Sequence, residues 1–224
     1  MAKRKHSETA PSAARKPPAG GTPGPKRRHL PNWPLLAPAL VGMALTAYLT
    51  ATAWTQTAPA LCGEGSGCDL VQSSRWGSLL GMPTAMWGLL GYLTLAYIAL
   101  RVRSAQWHWQ LAWLAAFTGL AVSVYLTLIS VLSIGATCFY CLISLGLMAL
   151  LTVIVTLQRP DGIAGFSWPA WAGQTAVVSL VLVGALHLHY TGVFSPAAGP
   201  EDPYLRGLAQ HLAARGDLFY GAFW

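Results

Sequence analysis

Charge is what this sequence has least of. Asp, Glu, Lys and Arg make up 9% of its 224 residues, and only 7 are acidic, where a soluble globular domain carries about a quarter. Together with 54% apolar residues and a mean hydropathy of +0.47, that shortage argues against a water-soluble enzyme. The net charge of +7 is not spread over a surface either. Eight of the 14 Lys and Arg lie before Pro31: Lys3, Arg4, Lys5, Arg15, Lys16, Lys26, Arg27 and Arg28. Basic charge confined to one polar end is a poor nucleic-acid face, and no nucleic acid is expected as a partner. Apolar periodicity is also missing from residues 1–31, which are rich in Pro, Gly, Ser and Ala. Such a segment cannot bury enough surface to offset the ordering of its backbone, and it is too long and polar to resemble a cleavable secretory signal.

What is present is a series of five apolar runs, Pro34–Thr57, Thr84–Leu100, Trp107–Leu132, Cys138–Leu157 and Pro169–Tyr190, with no Asp, Glu, Lys or Arg inside any of them. Each is near the ~20 residues that cross a ~30 Å hydrocarbon core. Trp33, Trp54, Trp87, Trp107, Trp168 and Tyr190 gather near the ends of the runs, where amphipathic rings favour the membrane interface. An all-α membrane protein is predicted. Basic residues collect on the cytoplasmic side of membranes. With the N-terminus inside, 11 Lys and Arg lie within and 3 (Arg75, Arg206 and Arg215) outside. The expected arrangement is therefore a disordered cytosolic tail over 1–31, a loop over 58–83 on the outer side, and an outer C-terminus.

That orientation places all four cysteines on the outer side. Cys62 and Cys68 lie in the glycine-rich Cys62-Gly-Glu-Gly-Ser-Gly-Cys68, and Cys138-Phe139-Tyr140-Cys141 opens the fourth run. Thiols outside the cytosol persist as disulfides. The first pair sits in a flexible segment. The second lies at a predicted helix start, after Ser133–Thr137 breaks the preceding run, with Thr137 as the expected N-cap. Residues three apart share a helix face, and a helix N-terminus stabilises the thiolate that attacks disulfides. Three readings are open on these residues. A mobile pair facing an activated one is the layout of a thiol–disulfide relay. Two inert disulfides are another, although a staple between Cys138 and Cys141 closes almost no loop. Four Cys also suit tetrahedral zinc, but no His accompanies the second pair, and no metal is expected.

The order of these features resembles the vitamin K epoxide reductase (VKOR) family. The resemblance rests on Cys68-Asp-Leu-Val71-Gln-Ser-Ser74-Arg75-Trp76-Gly77, Gly81-Met82-Pro83, Gly88, and Tyr125-Leu126 approaching Cys138-Phe139-Tyr140-Cys141, and covers roughly residues 34–190. DsbB-type proteins do similar chemistry with the Cys-x-x-Cys ahead of the looser pair; here the looser pair comes first. The resemblance implies a four-helix transmembrane bundle around a quinone, with a fifth helix outside it, and a VKOR-like domain over 32–192. It implies catalytic roles for Cys62, Cys68, Cys138 and Cys141. Cys62 would meet the partner, Cys68 would exchange with Cys138, and Cys141 would meet the quinone. Ser74 matches a serine near the family's active site, its hydroxyl reaching a quinone oxygen or a loop backbone group. Gly81-Met82-Pro83 would turn the chain back over the site.

The quinone (ubiquinone, menaquinone or phylloquinone) would be the electron acceptor, and its pocket is weakly marked. Trp87, Tyr125 and Phe139, with Tyr92 and Met86, are candidate lining residues, although aromatics on membrane helices are more often packing. His187 and His189 are two apart, so they point to different faces and read as interfacial; His211 carries no argument. The expected partners are the quinone, membrane lipid and a thioredoxin-like dithiol protein or domain. After a linker over 193–203, Tyr204–Arg215 has an amphipathic helix pattern and Leu218-Phe-Tyr-Gly-Ala-Phe-Trp224 follows. This is similar to the start of the thioredoxin-like domain fused to many bacterial homologues, and 204–224 reads as that domain truncated before its own Cys-x-x-Cys. The function expected is a thiol–disulfide oxidoreductase in the inner membrane that drives disulfide formation in exported proteins on the periplasmic side. Reduction of vitamin K epoxide and a disulfide-stapled scaffold without turnover are the alternatives.

Overall fold

Helices form where the apolar runs lie. The computed structural model describes residues 30–55, 57–60, 62–63, 66–160, 167–193 and 203–215. The basic tail up to residue 29, most of the linker, and residues 218–224 of the expected thioredoxin-like start lie outside the described residues. The long helices are α1 (Trp33–Thr55), α3 (Thr84–Arg101), α4 (Ala105–Ile129), α5 (Phe139–Leu157) and α6 (Trp168–Tyr190). A short α2 (Gly67–Ser73) sits in the first loop, and α7 (Pro203–Ala214) coincides with the expected amphipathic helix. Four of these are long and apolar enough to cross a membrane: α1, α4 with its continuation to Ile134, α5 and α6. The second run, α3, is an 18-residue helix ending on the charged Arg101 and is not among the four.

Between α4 and α5 the structure departs from expectation. The break predicted at Ser133–Thr137 starts later, because α4 continues through a π turn, Ser130–Ile134, and stops at Gly135. Gly135 has a φ of +71°, a left-handed conformation that glycine takes without a Cβ penalty. Ser130 braces the exit: its Oγ donates to the Ala136 carbonyl at 2.6 Å, and the Ala136 N–H donates to the Ser130 carbonyl at 3.2 Å.

The bundle is built on antiparallel contact between α1 and α3. At one end the Asn32 N–H donates to the Ala99 carbonyl at 3.0 Å; nearer the other, Gly88 lies against the Thr46 methyl. Midway, a Cβ on Gly42 would overlap the Tyr92 ring, so glycine lets a fully buried aromatic into the seam. Leu35, Leu95, Trp109, Ala116, Met148, Leu151 and Val155 complete the main core. Trp109 Nε1–H donates to the Val155 carbonyl at 2.9 Å, joining α4 to α5. Polar pairs join α4 to α6: Trp113 Nε1 to Thr175 Oγ1, Thr118 Oγ1 with Ser179 Oγ, and Tyr125 OH with His187 Nδ1, each at 3.1 Å.

At the Asn32 end, Asn32 Nδ2 lies 3.0 Å from His108 Nε2 and donates to Gln158 Oε1 at 2.7 Å. Gln158 Nε2 donates back to Asn32 Oδ1 at 3.2 Å, and His108 Nδ1 lies 3.1 Å from the Val102 carbonyl. A carbonyl only accepts, so Nδ1 carries the proton and Nε2 accepts from Asn32. The cysteines occupy the opposite end. There the first loop runs through α2, a 3-10 turn (Arg75–Gly77) and a small hairpin of β1 (Ser78–Leu79) and β2 (Met82–Pro83) that leads into α3. The hairpin turns on Leu80 and Gly81 at φ +55° and +77°, the positive angles that a two-residue turn of type I′ requires. The turn back toward the bundle expected at Gly81-Met82-Pro83 is this hairpin.

Candidate functional site

All four cysteines meet in one cluster. Cys62, Cys68, Cys138 and Tyr140 are buried together, with Leu45, Leu49, Val71, Cys141 and Ile143 packed against them. α1 supplies the leucines, the loop and α2 supply Cys62, Cys68 and Val71, and the start of α5 with its cap supplies Cys138, Tyr140, Cys141 and Ile143. Cys62 and Cys68 form a disulfide with their Cα atoms 5.7 Å apart, whereas Cys138 and Cys141 are free thiols. The disulfide takes up two of the four sulfurs that a zinc site would need as thiolates.

Cys68 is placed by the start of α2. Ser66 is the N-cap, its Oγ accepting from the Asp69 N–H at 3.4 Å. Next to it, Gly67 packs so closely on Thr137 that a Cβ would overlap the Thr137 carbonyl oxygen. Residue 67 precedes one cysteine and residue 137 precedes another, so this contact brings the two pairs to a common level. Ser74 ends α2: its Oγ donates to the Val71 carbonyl at 2.7 Å.

Cys138 differs from expectation in its position. It is itself the N-cap of α5, in extended conformation, rather than a first-turn residue capped by Thr137. Its carbonyl accepts from the Leu142 N–H at 3.1 Å. The Cys141 thiol donates to its sulfur, an effect that outweighs burial and is aided by the backbone N–H groups of Cys141 and Tyr140, and the Cys138 thiol is lowered to about 7. Hydrogen bonds donated to a thiolate stabilise it, so the arrangement favours the thiolate form of Cys138.

The loop is gripped ahead of Cys62. The Cys62 N–H closes a turn onto the Pro59 carbonyl at 3.0 Å, and Ala60 inside that turn touches two tyrosines. Its N–H donates to Tyr48 OH at 2.7 Å, and its carbonyl accepts from Tyr140 OH. The two tyrosine rings lie 6.3 Å apart. A lone Tyr in an apolar run reads as packing, so the sequence carried little signal for Tyr48. Tyr140, standing between Cys138 and Cys141, could have been found from its position.

None of the candidate quinone-lining residues belongs to the buried cysteine cluster, although Phe139 adjoins Cys138 in the chain. Trp87 is 39% exposed, and its Nε1–H donates to the Leu79 carbonyl at 3.2 Å, bracing the hairpin. Tyr125 pairs with His187 and lies edge-on to Trp76. Tyr92 OH lies 3.0 Å from Ser144 Oγ within the core. Phe139 is 52% exposed beside Tyr140, and Met86 is partly buried. The Trp76 ring forms a second centre, 4.5 Å from that of Tyr190 with Arg75 over its face, while its carbonyl accepts from Thr84 Oγ1 at 2.9 Å. This ties the loop to α3 and to the end of α6.

Two sulfurs in a disulfide and two as thiols, packed in one cluster, are equipped for thiol–disulfide exchange and for two-electron redox chemistry. The family model that matches the chain, over residues 33–156, is that of the Vitamin K epoxide reductase family.

Proposed function

The chain belongs to the vitamin K epoxide reductase family, and from that premise we propose that it is a membrane thiol–disulfide oxidoreductase passing electrons from a partner dithiol to a quinone. The observation that carries this reading is the packing of the buried Cys62–Cys68 disulfide with the buried Cys138 thiol and the partly buried Cys141 thiol in one cluster. The partner is a thioredoxin-like dithiol protein or domain. Its thiolate attacks Cys62, releasing Cys68, and its second thiol closes the partner's own disulfide, leaving Cys62 and Cys68 reduced. Cys68 then attacks Cys138 of a Cys138–Cys141 disulfide and releases Cys141. Attack of Cys62 on Cys68 restores the loop disulfide and frees Cys138. Two thiols now stand at the start of α5. Their reoxidation to a disulfide delivers two electrons and two protons to the quinone, giving hydroquinone. The apolar side chains around the sulfurs, Leu45, Leu49 and Ile143, suit a quinone ring, with Cys141 as the thiol that meets it.

The reading includes five spans. α3 runs antiparallel along α1 from Ala99 beside Asn32 to Gly88 beside Thr46, so it shares the depth of α1. Its 18 residues reach ~27 Å at 1.5 Å per residue, close to the ~30 Å core. The excess of basic residues at the N-terminus and around Arg101, Arg103 and Arg159 favours an inside N-terminus. The cysteines then face the periplasmic side of the inner membrane, where the relay supports disulfide formation in exported proteins.

The test is anaerobic titration of the purified protein with a dithiol and a soluble quinone, following hydroquinone. Wild type turns over, and each single Cys→Ser variant loses turnover. Full turnover by Cys141→Ala overturns the proposal.

A further inference from the structure

Ala60 is the only loop residue between α1 and Cys62 whose two backbone groups are both shown bound to side chains of the membrane helices, among the described residues. Its N–H donates to Tyr48 of α1 and its carbonyl accepts from Tyr140 of α5. Neither group is used by the turn around it, which is closed by the Cys62 N–H and the Pro59 carbonyl. Holding Ala60 therefore holds the turn, and the turn ends on Cys62. Pro59 is buried beneath it. Tyr140 belongs at once to this contact and to the sulfur cluster, where it is 8% exposed. One phenol thus links the backbone before Cys62 to the helical turn that carries Cys138 and Cys141.

We infer that Tyr48 and Tyr140 form a two-armed clasp on Ala60 that docks the loop disulfide against Cys138, and that both are positioning residues for exchange between the two cysteine pairs. This rests on the relay reading and deepens it. The clasp has two opposed consequences. While closed, it keeps the Cys62–Cys68 disulfide buried, at 3% and 5% exposure, and slows attack by a soluble dithiol. It also keeps Cys68 within range of Cys138, and so favours the internal step. Backbone groups serve as the handles, so the clasp does not depend on the side chain at position 60. Its two arms come from helices that already pack together, so it closes without ordering a further element.

The two consequences should appear together at an unchanged melting temperature, which separates them from loss of general stability. Tyr48→Phe and Tyr140→Phe keep the rings and remove only the hydroxyls. In the full-length protein in detergent, each variant should speed the opening of Cys62–Cys68 by dithiothreitol about fivefold, the equivalent of one ordinary hydrogen bond. In a Cys141→Ala background, each should lower the yield of the trapped Cys68–Cys138 disulfide by a similar factor. An unchanged opening rate in the Tyr48→Phe/Tyr140→Phe double variant overturns the clasp. A faster opening with an undiminished Cys68–Cys138 yield overturns its positioning role. If the wild-type protein gives no dithiol-to-quinone turnover, the relay reading fails, while the opening rate still decides the clasp.

Discussion

Gly67 and Thr137 meet backbone to backbone, and a side-chain carbon on Gly67 would overlap the Thr137 carbonyl oxygen. Since Cys68 and Cys138 follow these two residues, the contact sets the separation of the two sulfur pairs. Gly67→Ala must push α2 away from the start of α5, and overpacking of this kind costs about 1–3 kcal/mol. The expected outcome is a lower melting temperature and, with Cys141→Ala, a Cys68–Cys138 disulfide yield about tenfold below that of the glycine parent, a ratio equivalent to ~1.4 kcal/mol. Mass spectrometry of the trapped species measures it; a yield equal to the parent's would show that the close contact does not set the exchange geometry.

The Cys138 thiol is lowered to about 7, chiefly by the hydrogen bond from Cys141. A lowered value means that thiolate accumulates at lower pH than the ~8.5 of a free cysteine. The ultraviolet thiolate absorbance of protein with the loop disulfide intact should therefore rise through a midpoint near 7. In the fraction of Cys141→Ala protein that keeps the loop disulfide, the largest lowering influence is gone and burial opposes ionisation with only the backbone N–H groups against it, so the midpoint should move upward. A midpoint that stays near 7 in that variant would assign the lowering to the helix start instead.

The long helices were legible in the sequence because an apolar run without charge admits few other structures, and the grouping of the cysteines followed from the order of the runs. The local geometry was less legible. The π turn after Ile129 carries an apolar helix through Ser133 and Ile134, which read as part of the break, to a stop at Gly135, where Ser130 binds Ala136 from within the helix. The hairpin places Leu80 at positive φ, against its intrinsic preference. Cys138 takes the cap position expected of Thr137. Tyr48 and Tyr140 act through Ala60, a residue with no chemical signature of its own. Hydropathy locates a helix; it does not indicate which backbone group a phenol will reach.

The polar group at the other end of the bundle should act on stability. Asn32 holds both His108 and Gln158, and His108 is 1% exposed. Asn32→Leu strips a partner from each, and weakening the hydrogen bonding of the buried His108 ring costs about 1–3 kcal/mol. The variant should melt several degrees lower. Because the change lies at the far end from the cysteines, the extent of Cys68–Cys138 trapping with Cys141→Ala should be retained below the new melting temperature. Loss of trapping well below that temperature would show coupling between the two ends.

The last prediction concerns α6, which lies beyond the residues matched to the family. Its attachment to α4 runs through Trp113–Thr175, Thr118–Ser179 and Tyr125–His187. Hydrogen bonds between membrane helices average ~0.6 kcal/mol, so Ser179→Ala should hardly change the melting temperature. Thr175→Val should do more, because Trp113 is 7% exposed and its indole N–H would lose its acceptor where water has little access. His187→Leu should weaken the end of α6 nearest the loop, where Tyr190 packs on Trp76. Its mark should be faster proteolysis of the first loop at an unchanged overall melting temperature. If His187→Leu leaves loop proteolysis at the wild-type rate, α6 is attached to α4 but does not steady the loop that carries Cys62 and Cys68.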